Sequence, residues 1–229
     1  MILRSLKTFL TLALCLPLLI SCASSTTASV PVGCEQASSP CLQGKATVEL
    51  TTSKGSITLE LDGDAAPVTA GNFLDLIQRG AYNGTVFHRV VRDPVPFVVQ
   101  GGDPASSDPA TPKTQYGTGS FVDPTTGQTR FVPLELSFDG EDQPRYGRVV
   151  SNPTELVQLK LSHERGALAM ARSQAPDSAS AQFYIALKPL PELDGRYAVF
   201  GRVTEGLEVV DAIRQDDTIE MATVLTPGL

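Results

Sequence analysis

Residues 85–103 read "TVFHRVVRDPVPFVVQGGD". Phe87, Val90, Val91, Val98 and Val99 are apolar, as expected of strand that meets a core. Arg89 interrupts them, directly after His88, one of only two histidines in the chain. Burying a guanidinium without a partner costs several kcal/mol, so the run reads either as a buried strand with a purpose for its cation or as an edge strand with the arginine head in water. The spacing around Arg89 favours the edge reading. The stretches on either side decide what the arginine is for.

Working outward, "ATVELTT" from Ala46 sets Val48 and Leu50 on one face, and "GSITLEL" does the same with Ile57, Leu59 and Leu61. The "SKG" between them marks a hairpin. "APVTAGNFLDLIQRG" predicts a helix with Pro67 in its first turn, Phe73, Leu74 and Ile77 on its apolar face, and Gly80 at its end. The opening stretch supplies one or two strands. Residues 102–165 are dominated by Gly, Pro, Ser, Thr and Asp and read as long loop with short extended pieces such as "RFVPLELSF". "GALAMAR", "SAQFYIAL", "YAVFGRV" and "TIEMATVL" read as further strands. "TEGLEVVDAIRQ" reads as a second helix with Thr204 as its cap. Many strands and only two substantial helices predict a mainly β domain, a closed barrel with helices plugging its ends.

The chain has 229 residues and a formal charge of −7, enough for one domain plus extras. The acidic balance argues against a nucleic-acid partner. Residues 1–21 carry Arg4 and Lys7, then an apolar run from Phe9 to Ile20, the pattern of a secretory signal. That run falls short of the roughly 20 residues of a spanning helix. Leu19-Ile20-Ser21-Cys22 resembles a bacterial lipobox, in which Cys22 would become the N-terminus and carry lipid; the plainer alternative is an ordinary secreted protein cut nearby. Residues 22–44, rich in Ser, Thr, Ala and Pro, read as a flexible tether, leaving 45–229 as the folded domain. Within the tether Cys34 and Cys41 can oxidise to a disulfide outside the cytoplasm, though their spacing is permissive rather than diagnostic.

Taken together and in order, "FHRVV…FVVQGGD", "GALAMAR", "SAQFYIAL" and "LDGRYAVFGRV" resemble the cyclophilins, the cyclosporin-type peptidyl-prolyl isomerases, from about Ala46 to Leu225. The resemblance implies a closed eight-stranded antiparallel β-barrel with a helix capping each end. It also implies an enzyme that accelerates rotation of X–Pro bonds and needs no metal or cofactor. By motif, Arg89 is the cation that faces the prolyl nitrogen, Phe97 walls the proline pocket and Gln100 orients Arg89. Val98, Tyr184, Leu193 and Tyr197 complete the pocket. Gln182 and the backbone around Ala171 and Arg172 hold the peptide before the proline. His88 is expected to be supporting structure, and His163 receives no role. "GTGS" at 117–120 has no strand-to-helix context and reads as a loop, not a phosphate site. Asp103 reads as turn chemistry and not as a general base.

Three departures from the family pattern stand out, one of them the segment "PLELSFDGEDQPRYGRVVSNPTELVQLKLSHERG", which extends the chain before "GALAMAR" and resembles an elaboration seen in some bacterial cyclophilins. Glu192 occupies the place where cyclosporin-sensitive members carry tryptophan, and the chain has no tryptophan, so weak cyclosporin binding is expected. The "VVRDPVP" segment is longer than in compact members, which puts Phe97 at risk of misalignment. The expected partners are proline-containing polypeptides, with no nucleic acid and with the membrane met only through a lipid anchor. The expected state is a monomer on the extracytoplasmic side of a bacterial membrane, periplasmic or outer, assisting exported proteins. The rival reading is a non-catalytic module, or holdase, that grips proline segments.

Overall fold

The computed structural model describes residues 32–228. The expected signal segment 1–21, the expected lipid site Cys22 and the first part of the expected tether lie outside the described residues. Among the described residues no helix is long and apolar enough to cross a membrane.

The tether expected over 22–44 is not a tether in its described part. A short helix α1 (Val32–Gln36) leads into a loop closed by the Cys34–Cys41 disulfide, with the two Cα atoms 5.9 Å apart. The loop lies on helix α2 (Pro67–Gln78). A Cβ at Gly71 would stand 2.2 Å from the Pro40 carbonyl, so only glycine permits the contact. Leu42 is buried and its N–H donates to the Pro67 carbonyl at 3.0 Å. Composition reported small, polar residues; it did not report that one leucine and a cross-link hold them against the domain.

The strands β1 (Lys45–Thr52) and β2 (Gly55–Asp62) form the expected hairpin, with Val48, Leu50, Ile57, Leu59 and Leu61 all fully buried. In α2, Pro67 takes the first turn, and Phe73, Leu76 and Ile77 are buried. No local side chain caps this helix. The buried Glu135 carboxylate does so from a distance, accepting from Val68 N (3.1 Å) and Thr69 N (2.8 Å). Burial nevertheless pushes the Glu135 carboxyl above its ordinary value.

Strands β3 (Arg89–Val91) and β4 (Val98–Gly101) make a second hairpin across the 92–97 loop. Residues 102–165 are more than loop. They hold a two-stranded sheet, β5 (Glu135–Leu136) with β6 (Arg145–Tyr146), and a one-turn helix α3 (Pro153–Leu156). Leu134, Leu136, Phe138 and Val150 form a core of their own with Ala198. The chain then runs through β7 (Ala167–Met170), β8 (Phe183–Ala186), β9 (Val199–Glu205), α4 (Leu207–Ala212) and β10 (Ile219–Thr226). Thr204 belongs to β9 and does not cap α4; Gly206 occupies that place.

Eight strands form one antiparallel sheet in the order β10-β1-β2-β9-β7-β8-β4-β3. It is an open, curled half-barrel and not the closed barrel expected. The two edges share no strand ladder. The chain ahead of β3 meets the chain ahead of β10 through one isolated bridge, Val86–Thr218, and a few backbone bonds such as Ile219 N to Thr85 O at 2.8 Å. The physical reason is that β3 has only three residues and that Val86 donates its N–H to Ser106 Oγ, not to a neighbouring strand. Of the two expected end caps, α2 is a full helix of 12 residues and α4 a six-residue one.

Period-two alternation sorts the sheet into two faces. Leu168, Met170, Phe183 and Ile185 point inward, where Phe73 packs on Tyr82, Phe183 and Phe200 at 4.9–5.2 Å between ring centroids. Val98, Ala167, Ala169, Tyr184, Ala186 and Val199 belong to a separate cluster on the other face. That outer face carries the site.

Candidate active site

Arg89 pairs in register with Gln100 across β3 and β4. It stands on an edge strand and is exposed, as the spacing around it favoured, while Phe87 and Val99 are buried in the core and Val90 packs partly against it. Its Nη1 donates to Gln100 Oε1 at 3.3 Å, and its guanidinium carbon lies 5.9 Å from the Phe97 ring centroid. Gln100 Nε2 donates to Gln182 Oε1 (3.2 Å), and Gln182 Nε2 to the Gly119 carbonyl (2.8 Å). Three side chains therefore form a relay from the 117–120 loop to the cation.

That loop is set by Asp103, which is fully buried. Its carboxylate accepts from Ala105 N (2.9 Å), Gly117 N (2.6 Å) and Gly119 N (3.2 Å). A Cβ on Gly119 would fall 2.1 Å from Asp103 Oδ1. With its oxygens held by amides and no solvent access, Asp103 has turn chemistry, as expected, and is no base. His88 is half-buried beside Gly117, neither ring nitrogen has a hydrogen-bond partner among the described residues, and burial pushes the imidazole below its ordinary value.

A cavity of about 240 Å³ is lined by Arg89, Phe97, Val98, Gln100, Ala171, Arg172, Tyr184, Leu193 and Tyr197. Nine of the ten positions carried over from the sequence thus meet at one place. The tenth, Gln182, lines an adjoining cavity of about 200 Å³ that shares Gln100, Ala171 and Arg172. The 92–97 loop, where slippage threatened, leaves Phe97 at the cavity: Phe97 N donates to Val91 O at 3.0 Å, which closes the hairpin in register. Arg92 pins the loop by donating to the carbonyls of Val210 (2.8 Å) and Ile213 (3.1 Å), beside α4.

The far wall is aromatic and cationic. Tyr184 and Tyr197 meet edge to face at 5.8 Å, and Arg172 lies over Tyr197 at 4.8 Å. Arg172 is held by carbonyls alone, donating to Arg196 O, Ser173 O and Gln174 O. Glu192 is exposed in the short 3₁₀ helix Pro191–Leu193, next to the lining residue Leu193. Sequence reasoning passed over His163 and Asp194. His163 is buried, with Nδ1 2.7 Å from Asp194 Oδ1 and Nε2 2.8 Å from the Tyr184 hydroxyl. The only signal available was a histidine in a polar stretch, because its partners are 21 and 31 residues away.

This arrangement offers an apolar seat between two held cations, Arg89 and Arg172. The family model for the "Cyclophilin type peptidyl-prolyl cis-trans isomerase/CLD" matches residues 47–227. A putative thylakoid lumen peptidyl-prolyl cis-trans isomerase of Synechocystis is 38% identical over 202 residues, covering 84% of this chain and 50% of the relative. A peptidyl-prolyl cis-trans isomerase of Helicobacter pylori is 36% identical over 182 residues, covering 79% of this chain and 87% of the relative. Among solved structures, a Cryptosporidium parvum cyclophilin type peptidyl-prolyl cis-trans isomerase in the presence of the dipeptide Ala-Pro superposes with a TM-score of 0.57 at 25% identity, over 79% of this chain and 99% of that one. The chain spans only about half the length of the Synechocystis relative but most of the Helicobacter one. By sequence and by fold, the chain belongs to the cyclophilin-type peptidyl-prolyl cis-trans isomerases.

Proposed function

We propose that the chain accelerates cis–trans rotation of X–Pro bonds at the 240 Å³ cavity, with Arg89 as the catalytic group. The barrier of ~18–20 kcal/mol arises because the amide nitrogen shares its lone pair with the carbonyl. As the bond twists, that lone pair returns to the nitrogen and becomes an acceptor. Val98, Phe97, Leu193, Tyr184 and Tyr197 hold the proline ring, while Arg89 donates to the prolyl nitrogen only in the twisted state. A guanidinium suits this task because it stays charged and one edge of its fork can rest on Gln100 while the other is free. Stabilisation realised only in the twisted state lowers the barrier rather than tightening ground-state binding.

Gln100 and Gln182 extend the seat towards the residues before the proline. Ala171 N–H already donates to the Gln182 carbonyl at 2.9 Å, so its contribution to holding peptide falls to its own carbonyl. The observation that carries the reading is the Arg89–Gln100–Gln182 relay beside an apolar pocket. A module that only grips proline needs the walls and can dispense with the oriented cation. The test is isomerisation of an X–Pro tetrapeptide by the wild type and Arg89→Ala. A loss of roughly 10²–10³ in kcat/KM is expected, the range for removal of one preorganised donor. Inactivity of the wild type would favour the binding module, and full activity of the variant would remove Arg89 from the mechanism.

We further propose that the protein works as a monomer outside the cytoplasm on exported polypeptides, anchored through lipid on Cys22. The Cys34–Cys41 disulfide fits an oxidising compartment, and the Synechocystis relative is named for a lumen. The site is built within one chain. Cys22→Ala should release the protein from membranes, and unchanged fractionation would refute the anchor.

A further inference from the structure

The wall of the proline seat is fastened from behind by a group that the isomerisation chemistry does not use. Tyr184 is 5% exposed, and its ring forms part of the cavity while its hydroxyl points away into the protein. There it meets His163, whose side chain has no solvent exposure. The two rings are nearly parallel, 11° apart at 5.9 Å between centroids, and Tyr184 Oη lies 2.8 Å from His163 Nε2. His163 is itself fixed at three points. Its backbone N–H donates to Asp194 Oδ1 (2.9 Å), its Nδ1 lies 2.7 Å from the same oxygen, and its carbonyl accepts from Leu190 N (2.8 Å).

The chemistry of the three groups orders their protons. An ionised Asp194 accepts only, so Nδ1 carries a hydrogen and donates it. In the neutral imidazole Nε2 then holds a lone pair, and the Tyr184 hydroxyl donates to it. Both ring nitrogens of His163 and the Tyr184 hydroxyl thus each have a partner of the right kind. The row ties the Tyr184 wall to the segment 190–194 that supplies Leu193, another wall of the same seat. A phenol released from that anchor would be free to turn into the cavity it lines.

We propose that His163 is a positioning residue for the proline seat, holding Tyr184 back through the Tyr184–His163–Asp194 hydrogen-bond row so that the seat stays open. This rests on the assignment of the seat made above. Arg89 stands on β3, separated from Tyr184 on β8 by β4, so a change at His163 acts on how well proline is seated rather than on stabilisation of the twisted bond.

The test uses the full folded protein and an X–Pro tetrapeptide. His163→Leu should raise KM roughly five- to ten-fold, the effect of one buried hydrogen bond, and move kcat by less than about two-fold. His163→Gln, whose side-chain oxygen can still accept from Tyr184, should recover most of the loss. In a Tyr184→Phe background His163→Leu should add little, because the two changes break the same link. Equal penalties in both backgrounds, an unchanged KM in folded His163→Leu, or a Gln variant no better than Leu would overturn the proposal. If His163→Leu does not fold, the ¹⁵N spectrum of the wild type decides. With two histidines in the chain the signals separate readily, and His163 protonated on Nε2 alone would refute the row. Phe97→Ala separates the two readings: it should raise KM whether or not His163 positions Tyr184. An unmoved KM there would bring down the seat itself and the His163 proposal with it.

Discussion

Replacing Arg89 by Lys keeps the charge and removes the fork, and so isolates what the guanidinium geometry contributes. Arg89 is exposed on an edge strand and makes one side-chain hydrogen bond, 3.3 Å long, to Gln100. Its loss should therefore leave stability within about 0.5 kcal/mol, as for other surface substitutions. Catalysis is a different matter. The arginine can rest one N–H on Gln100 and present another to the prolyl nitrogen, while it lies 5.9 Å from the Phe97 ring. A lysine ammonium is a point charge on a flexible stem and cannot hold both directions at once. A fully lost charged hydrogen bond is worth about 1.5–3 kcal/mol. With the charge retained, the lower end applies, and at ~1.4 kcal/mol per decade this predicts a fall of about ten-fold in kcat. KM should hold, because the apolar walls seat the proline in the ground state. The measurement is kcat and KM for an X–Pro tetrapeptide at low temperature, with thermal unfolding as control. Wild-type kcat in a folded Arg89→Lys protein would show that bulk positive charge suffices and that the relay through Gln100 has no catalytic part. A rise in KM alone would show Arg89 to be a binding group.

Gly119→Ala should displace the 117–120 loop, since the new methyl would stand 2.1 Å from the buried Asp103 carboxylate; kcat/KM should fall roughly five-fold as Gln182 loses the Gly119 carbonyl, and an unchanged rate would disconnect loop from relay. Cys41→Ser should lower unfolding free energy by about 2.5 kcal/mol, the loop-closure value for a separation of seven residues, with kcat/KM unaltered because neither cysteine lines the cavity. Denaturant titration measures it, and a parallel loss of activity would tie the N-terminal clasp to the site. Cyclosporin should bind weakly because Glu192, next to the lining residue Leu193, offers an exposed carboxylate where an indole would be needed; a nanomolar inhibition constant would refute this.

The sequence was most legible where one local rule was enough. Two-residue alternation in β1 and β2 foretold which side chains are buried, and Pro67 marked the start of α2. Ordered motifs brought nine site residues to one cavity because strand register carries them there together: Arg89 opposite Gln100, Gln100 opposite Tyr184. What stayed hidden depends on distant partners. The 102–165 region looked like loop because its strands are two residues long and its core is completed by Ala198. The 32–44 segment looked like tether because nothing in its composition says that Leu42 finds α2. Closure of the barrel was expected from strand count, and strand count cannot say whether the last two edges meet.

The position of the site on the outer face of the sheet follows from how the interior is used. Phe73, Phe183, Phe200 and Tyr82 fill the inside, leaving Val98, Tyr184, Ala169 and Val199 to form a second apolar surface on the same strands. Each of those strands is therefore fixed from within by close-packed core side chains while its alternate side chains form the outer surface that carries the cavity. A polypeptide needs open access on both sides of its proline, which a barrel interior cannot give. It also needs a cation that does not shift when the bond twists, which a loop would hold poorly. An edge strand meets both needs at once. In the proposed mechanism the exposure of Arg89 lets it reach the prolyl nitrogen, and the register pairing with Gln100 on β4 keeps it aimed. The exposure that first made Arg89 look like an ordinary surface arginine is thus the condition for the role proposed for it.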